Sequence, residues 1–468
     1  MKRSILFAAL FLTASPAIVI HADPFDEKAI SQPPELVLSG TLPETDLNKL
    51  IAYGETLFAA RFTTLDGAGR PMATQAIIPT KRRQPPETTF FRTAGLDAGS
   101  CAGCHNSPRA GGAGDFVTNV FVSEGFESAD FDNLAPQFSN ERGTNHLFGA
   151  GLIELLAREM TAELHEQRSA ALRQARSKGE LAEWDLSAKG VGFGKIVAHP
   201  DGILDLSKID GVDTDLVVRP FSQKGVMTSL RQFTVNALNH HHGMQASERF
   251  GIRWTGEADF DEDGHDDEMS QMQVSAMTAW QATLEPPLQL SPDDEYWREA
   301  AARGSVVFDQ IGCGSCHVPF LPLADLRFED PGPYDTAGTL RASEVVSPAV
   351  YDIALLDWAS RLERNENGEI LVPLFGDLKR HVIADQQVSH FGNELLPQRF
   401  VDRNTFQTTE LWGLASTGPY GHRNDLTTID EAIRAHGGEA RYARDGYVEA
   451  SEEDRRALIA YLKTLVIE

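Results

Sequence analysis

Two short stretches hold all four cysteines of the chain. "SCAGCHNSP" contains Cys101 and Cys104 with His105 directly behind, and "IGCGSCHVPF" contains Cys313 and Cys316 followed by His317. Three chemistries suit a Cys-x-x-Cys pair. A disulfide across so short a span closes a tiny loop and adds little to a chain of 468 residues. Two pairs could together hold a tetrahedral zinc ion, but zinc does not require that both pairs run on into histidine. Covalent haem does: the thiols bond to the porphyrin vinyl groups, and the adjacent imidazole takes an axial position on iron. Two copies with no cysteine left over make two c-type haems the expectation, with His105 and His317 as proximal ligands.

The elements around the two motifs echo each other. "GETLF" (Gly54 to Phe58) precedes the first motif and "GSVVF" (Gly304 to Phe308) the second, and both read as helices leading towards a haem. Each half also ends in a helical pattern. In "SEEDRRALIAYLKTL", Ser451 is the N-cap, and Leu458, Tyr461, Leu462 and Leu465 recur at one face. "SQMQVSAMTAWQATL" carries Val274, Met277 and Leu284 at helical spacing before Glu285-Pro286-Pro287 stops it. The expected fold is therefore mainly α: two cytochrome c-like haem domains, 23–287 and 288–468, the first enlarged by loop-rich insertions. One insertion, 179–218, is rich in glycine, aspartate and β-branched residues and reads as loops with a short hairpin.

Composition bounds the partners. A net charge of −26 argues against nucleic acid and anionic membrane surfaces, and 41% hydrophobic with 24% charged residues is globular. The start, "MKRSILFAALFLTASPAIVIHADPF", places Lys2 and Arg3 before an apolar run, with Ala17 or Ala22 as cleavage points. It reads as a signal peptide over 1–22, so the expected location is the periplasm or another exported compartment. No later stretch is long and apolar enough to span a membrane.

With these motifs in hand, the chain resembles the bacterial di-haem cytochrome c peroxidase superfamily, and within it the di-haem oxidoreductases described as peroxidases or thiol oxidoreductases. The resemblance runs over most of the chain after residue 22. It is carried by "SCAGCHNSPRAGGAG", "LFGAGLIELL", "GCGSCHVP", "ELWGLASTGPYGHRNDLTTIDEAIRAHGGEA" and the closing helix. In the peroxidases a Pro-Tyr-x-His turn is followed, fourteen residues after its histidine, by the methionine ligand of the second haem. Here the turn is Pro419-Tyr420-Gly421-His422, and the matching position is His436. The resemblance with this substitution implies a His317/His436 second haem of lowered potential, serving electron transfer. His422 is expected near propionates or backbone.

Around the first haem the pattern departs from the family. No histidine follows the first motif until His146, so an open or water-ligated iron at His105 is expected. Gln223-Lys224-Gly225 stands where the family places a tryptophan-bearing turn, leaving Trp254, Trp280 and Trp412 as substitutes between the haems. Near the expected acid/base position lie His240, His241 and His242, with Gln232 as a further candidate. Imidazole can move a proton between peroxide oxygens at neutral pH. A solvent-exposed run, an adventitious metal site and a distal iron ligand are the competing readings.

"DFDEDGHDDE" follows the start of a calcium loop: Asp259, Asp261 and Asp263 alternate before Gly264, with Asp267 and Glu268 beyond. Ser270 stands at position twelve, so a complete EF-hand is not present; a solvated acidic turn is the alternative. The resemblance also implies calcium, although the family's ion lies near the domain interface. The expected function is an exported di-haem oxidoreductase of peroxidase type. Electrons would come from a periplasmic donor or acceptor of small cytochrome or cupredoxin type, and a small-molecule oxidant would react at the first haem. An electron-transfer cytochrome without a substrate site and a haem dioxygenase are the alternatives.

Overall fold

Each haem motif follows a helix that crosses a later helix at a glycine. The computed structural model describes residues 25–70, 72–73, 79–81, 99–119, 141–395 and 397–468, and the expected signal segment 1–22 lies outside them. The helices that position the site are α1 (Glu44–Ala59), α2 (Ala150–Lys178), α3 (Leu230–Ala237), α4 (Gln271–Ala282), α5 (Glu295–Gln310) and α6 (Glu452–Leu462).

Helix α1 buries Leu47, Leu50, Tyr53 and Leu57 against α4, which a Ser270/Gln273 capping box begins. At the crossing, a Cβ on Gly54 would lie 2.0 Å from the Ala276 carbonyl oxygen. The second half repeats this. Ser451 caps α6 by accepting from the Asp454 amide at 3.1 Å, and a Cβ on Gly304 of α5 would lie 2.0 Å from the Ala457 carbonyl oxygen. Trp280 and Tyr461, one turn past those alanines, carry the next contact in each pair. The glycines are thus needed because two backbones touch there.

The expectation of a mainly α protein is overturned. Of the described residues, 38% are helical and 17% are strand, in many small sheets, so the fold is mixed α/β. The insertion read as loops with a hairpin is a three-stranded antiparallel meander, β1 (Ala182–Ala188), β2 (Val191–Ala198) and β3 (Leu204–Ile209). Its first turn, Lys189-Gly190, has positive φ at both residues, as a two-residue hairpin requires. Leu186, Phe193 and Ile196 are buried, and the sheet packs on α2. Elsewhere, apart from the six-residue strand Gly114–Asn119, strands run two to four residues, too short for an alternating pattern to register in the sequence.

The largest hydrophobic core draws on both sides of residues 285–287, including Leu50, Leu156, Phe193 and Tyr351. Gly40–Thr41 pairs in parallel with Ala349–Val350, joining the chain's start to its second half. Buried Arg231 fastens the same seam, with Glu248 at 2.5 Å and Asp330 at 2.9 Å. No helix among the described residues is long and apolar enough to cross a membrane.

Candidate functional site

The two Cys-x-x-Cys-His segments open onto two cavities. Cys101, Cys104 and His105 line the first, of about 610 Å³, and Cys313, Cys316 and His317 the second, of about 340 Å³. Both volumes are in the range of small-molecule and cofactor sites. The cysteines form no disulfide. Among the described residues no ligand group gathers the two pairs together, which removes the shared zinc site. Burial above all pushes the Cys101 and Cys313 thiols up to about 12.

Each motif histidine directs one ring nitrogen at a backbone carbonyl. His105 directs Nδ1 at the Gly112 carbonyl at 3.3 Å, and His317 directs Nδ1 at the Phe375 carbonyl at 3.2 Å. A hydrogen bond of this kind makes Nδ1 the protonated nitrogen and leaves the Nε2 lone pair for a metal. His436 does the same through the Ala432 carbonyl at 2.7 Å. It follows the helical turn Ile429–Arg434, and with Ile429 and Ile433 it lines the second cavity. The His317 and His436 ring centroids are 6.4 Å apart. Met227 and Met277 line the first cavity, and no methionine lines the second. The residues present therefore fit a haem in each cavity.

His240, His241 and His242 all line the first cavity. They lie in a π-helical turn, Leu238–His242, that continues α3. The wider turn brings consecutive side chains closer to one face than an α-helix would, and such turns recur at functional sites. His242 Nε2 is 3.4 Å from Cys101 Sγ. Burial pushes the imidazoles of His105, His146 and His241 down to about 4, so they are neutral at physiological pH. Gln232 does not join them. Its Oε1 accepts from the Thr228 amide at 2.7 Å, and its Nε2 donates to Thr336 Oγ1 at 3.0 Å.

One wall separates the cavities. Segments 144–146 and 407–410, with Gln223, line both. His146 in this wall holds the Trp412 carbonyl through Nε2 at 3.1 Å. Glu410, also in it, has its carboxyl pushed up to about 7 by burial. Sequence reasoning missed Glu410, because nothing local marks a glutamate as buried beside two cavities. Arg142, also missed, lines the first cavity; it pairs with Glu394 at 2.5 Å, while its Nε and Nη2 lack partners among the described residues. That charge and those donors suit a carboxylate on a bound group.

Lys224, in the turn Gln223-Lys224-Gly225, is wholly buried. Its Nζ donates to the carbonyls of Asp402, Arg403 and Thr405 and sits 3.4 Å from the Phe406 ring centre. His422 lies 3.2 Å from Glu394 and lines the second cavity. Of the three tryptophans, Trp254 is 38% exposed and lines neither cavity. Trp280 packs on Phe58, whose ring is 6.0 Å from His105. Trp412 is buried beside Gly149, next to the shared wall.

Asp259, Asp261 and Asp263 converge within 4.8 Å. Asp261 and, outside that cluster, Glu268 are buried, whereas Asp267 is exposed and outside the cluster too.

No family model matches the chain, and no curated protein does. Among solved structures, hydrazine synthase from Kuenenia stuttgartiensis is similar over 97% of this chain and 100% of that chain, at 12% identity and a TM-score of 0.36. A MauG-like protein associated with microbial copper homeostasis is similar over 67% of this chain and 88% of that one, at 14% identity and a TM-score of 0.29. At TM-scores this low, neither likeness carries an argument about this chain, whose chemistry rests on its own residues.

Proposed function

We propose that the chain is an exported di-haem c-type oxidoreductase of peroxidase type. In this reading the first part, 23–287, is catalytic and the second, 288–468, transfers electrons. The observation that carries the reading is that each Cys-x-x-Cys-His segment opens onto its own cavity and that the two cavities share one wall. When bound, the two haems would supply one-electron redox chemistry, the first towards a small oxidant.

The chain's own residues do the rest. Cys101 and Cys104, and Cys313 and Cys316, are the attachment points. His105 presents Nε2 from one side of the first cavity, and His317 and His436 present theirs across the second. Reduction of one peroxide to two waters consumes two electrons and two protons. A neutral buried imidazole such as His241 accepts a proton from one oxygen and returns it to the other. The apolar lining, with Phe58, Phe148 and Phe233, keeps bulk water from the first site. Electrons reach the second centre from a small exported cytochrome or cupredoxin-like partner and cross the wall at 144–146 and 407–410.

One observation favours a second reading. His146 and His240 to His242 crowd the first cavity, and any of them taking the open axial position makes the protein an electron carrier. Low-temperature EPR of the oxidised protein, before and after one equivalent of hydrogen peroxide, separates the two. A high-spin ferric signal that peroxide changes, beside a low-spin bis-histidine signal, supports the peroxidase. Two low-spin signals unmoved by peroxide, in both oxidised and half-reduced protein, overturn it in favour of the carrier.

A further inference from the structure

The loop Asp259 to Glu268 holds a charge problem that the protein part does not solve. Asp261 is fully buried, and neither carboxylate oxygen has a hydrogen-bond partner among the described residues. Its nearest charges are like charges, since oxygens of Asp259 and Asp263 lie within 4.8 Å of its own. Glu268 is buried as well. The nearby Lys81 answers Glu257 and Glu262 instead. A buried carboxylate without a counter-charge is strongly unfavourable. Clustered hard oxygens that lack one are the donor set of Ca²⁺, which takes six to eight oxygens, with carbonyls and waters completing the shell.

The second half of the argument is where this loop is fastened. Glu268 Oε2 accepts from the Gln245 amide at 2.6 Å. The Ser247 amide donates to the Met269 carbonyl at 2.9 Å, and Ala246 and Met269 form a parallel bridge. Gln245 lies three residues beyond His242, and Gly243, at φ +68°, closes the π-helical turn. A second strap runs along the other side: the Gly69 amide donates to the Gly243 carbonyl at 3.0 Å, and the Met72 amide to the Asp261 carbonyl at 3.0 Å. Gly67 leaves the room, since a Cβ there would lie 2.3 Å from Glu268 Cγ.

We propose that Asp259, Asp261, Asp263 and Glu268 bind one Ca²⁺, and that the ion braces the turn carrying His240, His241 and His242 through Glu268 and Gln245. Without the cation, mutual repulsion of four carboxylates loosens Glu268 from the Gln245 amide. With it, the turn beside Cys101 is held. The ion site stands independently of the haem reading; its effect on the first cavity rests on that reading.

The test uses the full-length haem-loaded protein, stripped with EGTA and titrated with calcium chloride in a calorimeter, with thermal unfolding and EPR recorded at both end points. One ion per chain and a higher Tm with calcium are expected. Asp261→Asn and Glu268→Gln should each weaken binding by at least about tenfold. Chelation should alter the EPR signal of the His105 centre and leave the His317/His436 signal unchanged. No calcium heat with no Tm shift in the wild type overturns the site. Wild-type affinity in both variants assigns the ion elsewhere and also overturns it. Stoichiometric binding with an unchanged first signal overturns the bracing. If Asp261→Asn does not fold, Glu268→Gln and Asp263→Asn carry the comparison. Calcium heat and Tm are read whatever the haem chemistry proves to be.

Discussion

The imidazoles of His317 and His436 form an edge-to-face pair with ring centroids 6.4 Å apart and planes inclined by 67°. An ion held in line between two imidazoles at about 2 Å from each nitrogen puts the ring centres roughly 6 Å apart. The pair is therefore spaced to sandwich one metal atom, and carbonyl contacts at both Nδ1 atoms fix which nitrogens face it.

The proposed ligation of the second haem by His317 and His436 sets the direction in which a substitution moves its potential. His436→Met should raise the midpoint of the second haem by on the order of 0.1 V, part of the roughly 0.8 V range that axial ligation spans. Redox titration followed in the visible band reads this. An unchanged midpoint in a folded di-haem variant would remove His436 as a ligand.

Covalent attachment can be counted motif by motif. Intact mass should exceed that of the polypeptide by two haems. Substituting alanine at Cys101 and Cys104 together, or at Cys313 and Cys316 together, should remove one haem each time. A variant that keeps both covalent haems after either change would contradict the assignment.

The two helix crossings should be equally intolerant of a side chain. Gly54→Ala or Gly304→Ala gains helix propensity of about 1 kcal/mol. Each also drives a methyl into a carbonyl oxygen 2.0 Å away. Overpacking of this kind costs about 1–3 kcal/mol, so both variants should be less stable in urea. A stabilised variant would mean that the helices are further apart than described.

Buried Glu154 sets a pH dependence. Its carboxylate accepts from the Leu230 amide at 2.7 Å at the start of α3 and pairs with Arg158 at 2.6 Å. Burial still dominates and raises its carboxyl from 4.5 to about 7. The folded state therefore binds more protons than the unfolded state between those values, and stability falls as pH rises across that window. Relative to Glu154→Gln, the wild type should lose stability from pH 4.5 to pH 7, measured as the difference in Tm. A constant difference would show that Arg158 keeps the carboxylate ionised throughout.

Much of the chemistry was legible in the residues alone. The Cys-x-x-Cys-His motifs, the helices around Gly54 and Gly304 and the N-caps Ser270 and Ser451 are local patterns. A covalent attachment site, a 3.6-residue period and a capping hydroxyl each involve neighbours in sequence. That His436 lines the second cavity was reachable for a related reason, since it stands at a fixed distance after the Pro419 turn. Gln232 misled because its position in sequence says nothing of how its amide is used, and the structure uses it on Thr228 and Thr336.

What the tertiary structure alone decided depends on groups far apart in the chain. The mixed α/β character rests on pairings such as Gly40 with Ala349, whose two-residue strand has no period to detect. Glu410 and Arg142 acquire meaning only when the wall between the cavities forms, because burial and a missing partner are properties of space. The link from Glu268 to the turn of His240 to His242 is of the same kind. Sequence determines which groups are available as ligands, caps and helix faces, because those need only local spacing. Three-dimensional packing decides which are dehydrated and what they meet, and that sets their charge and their use.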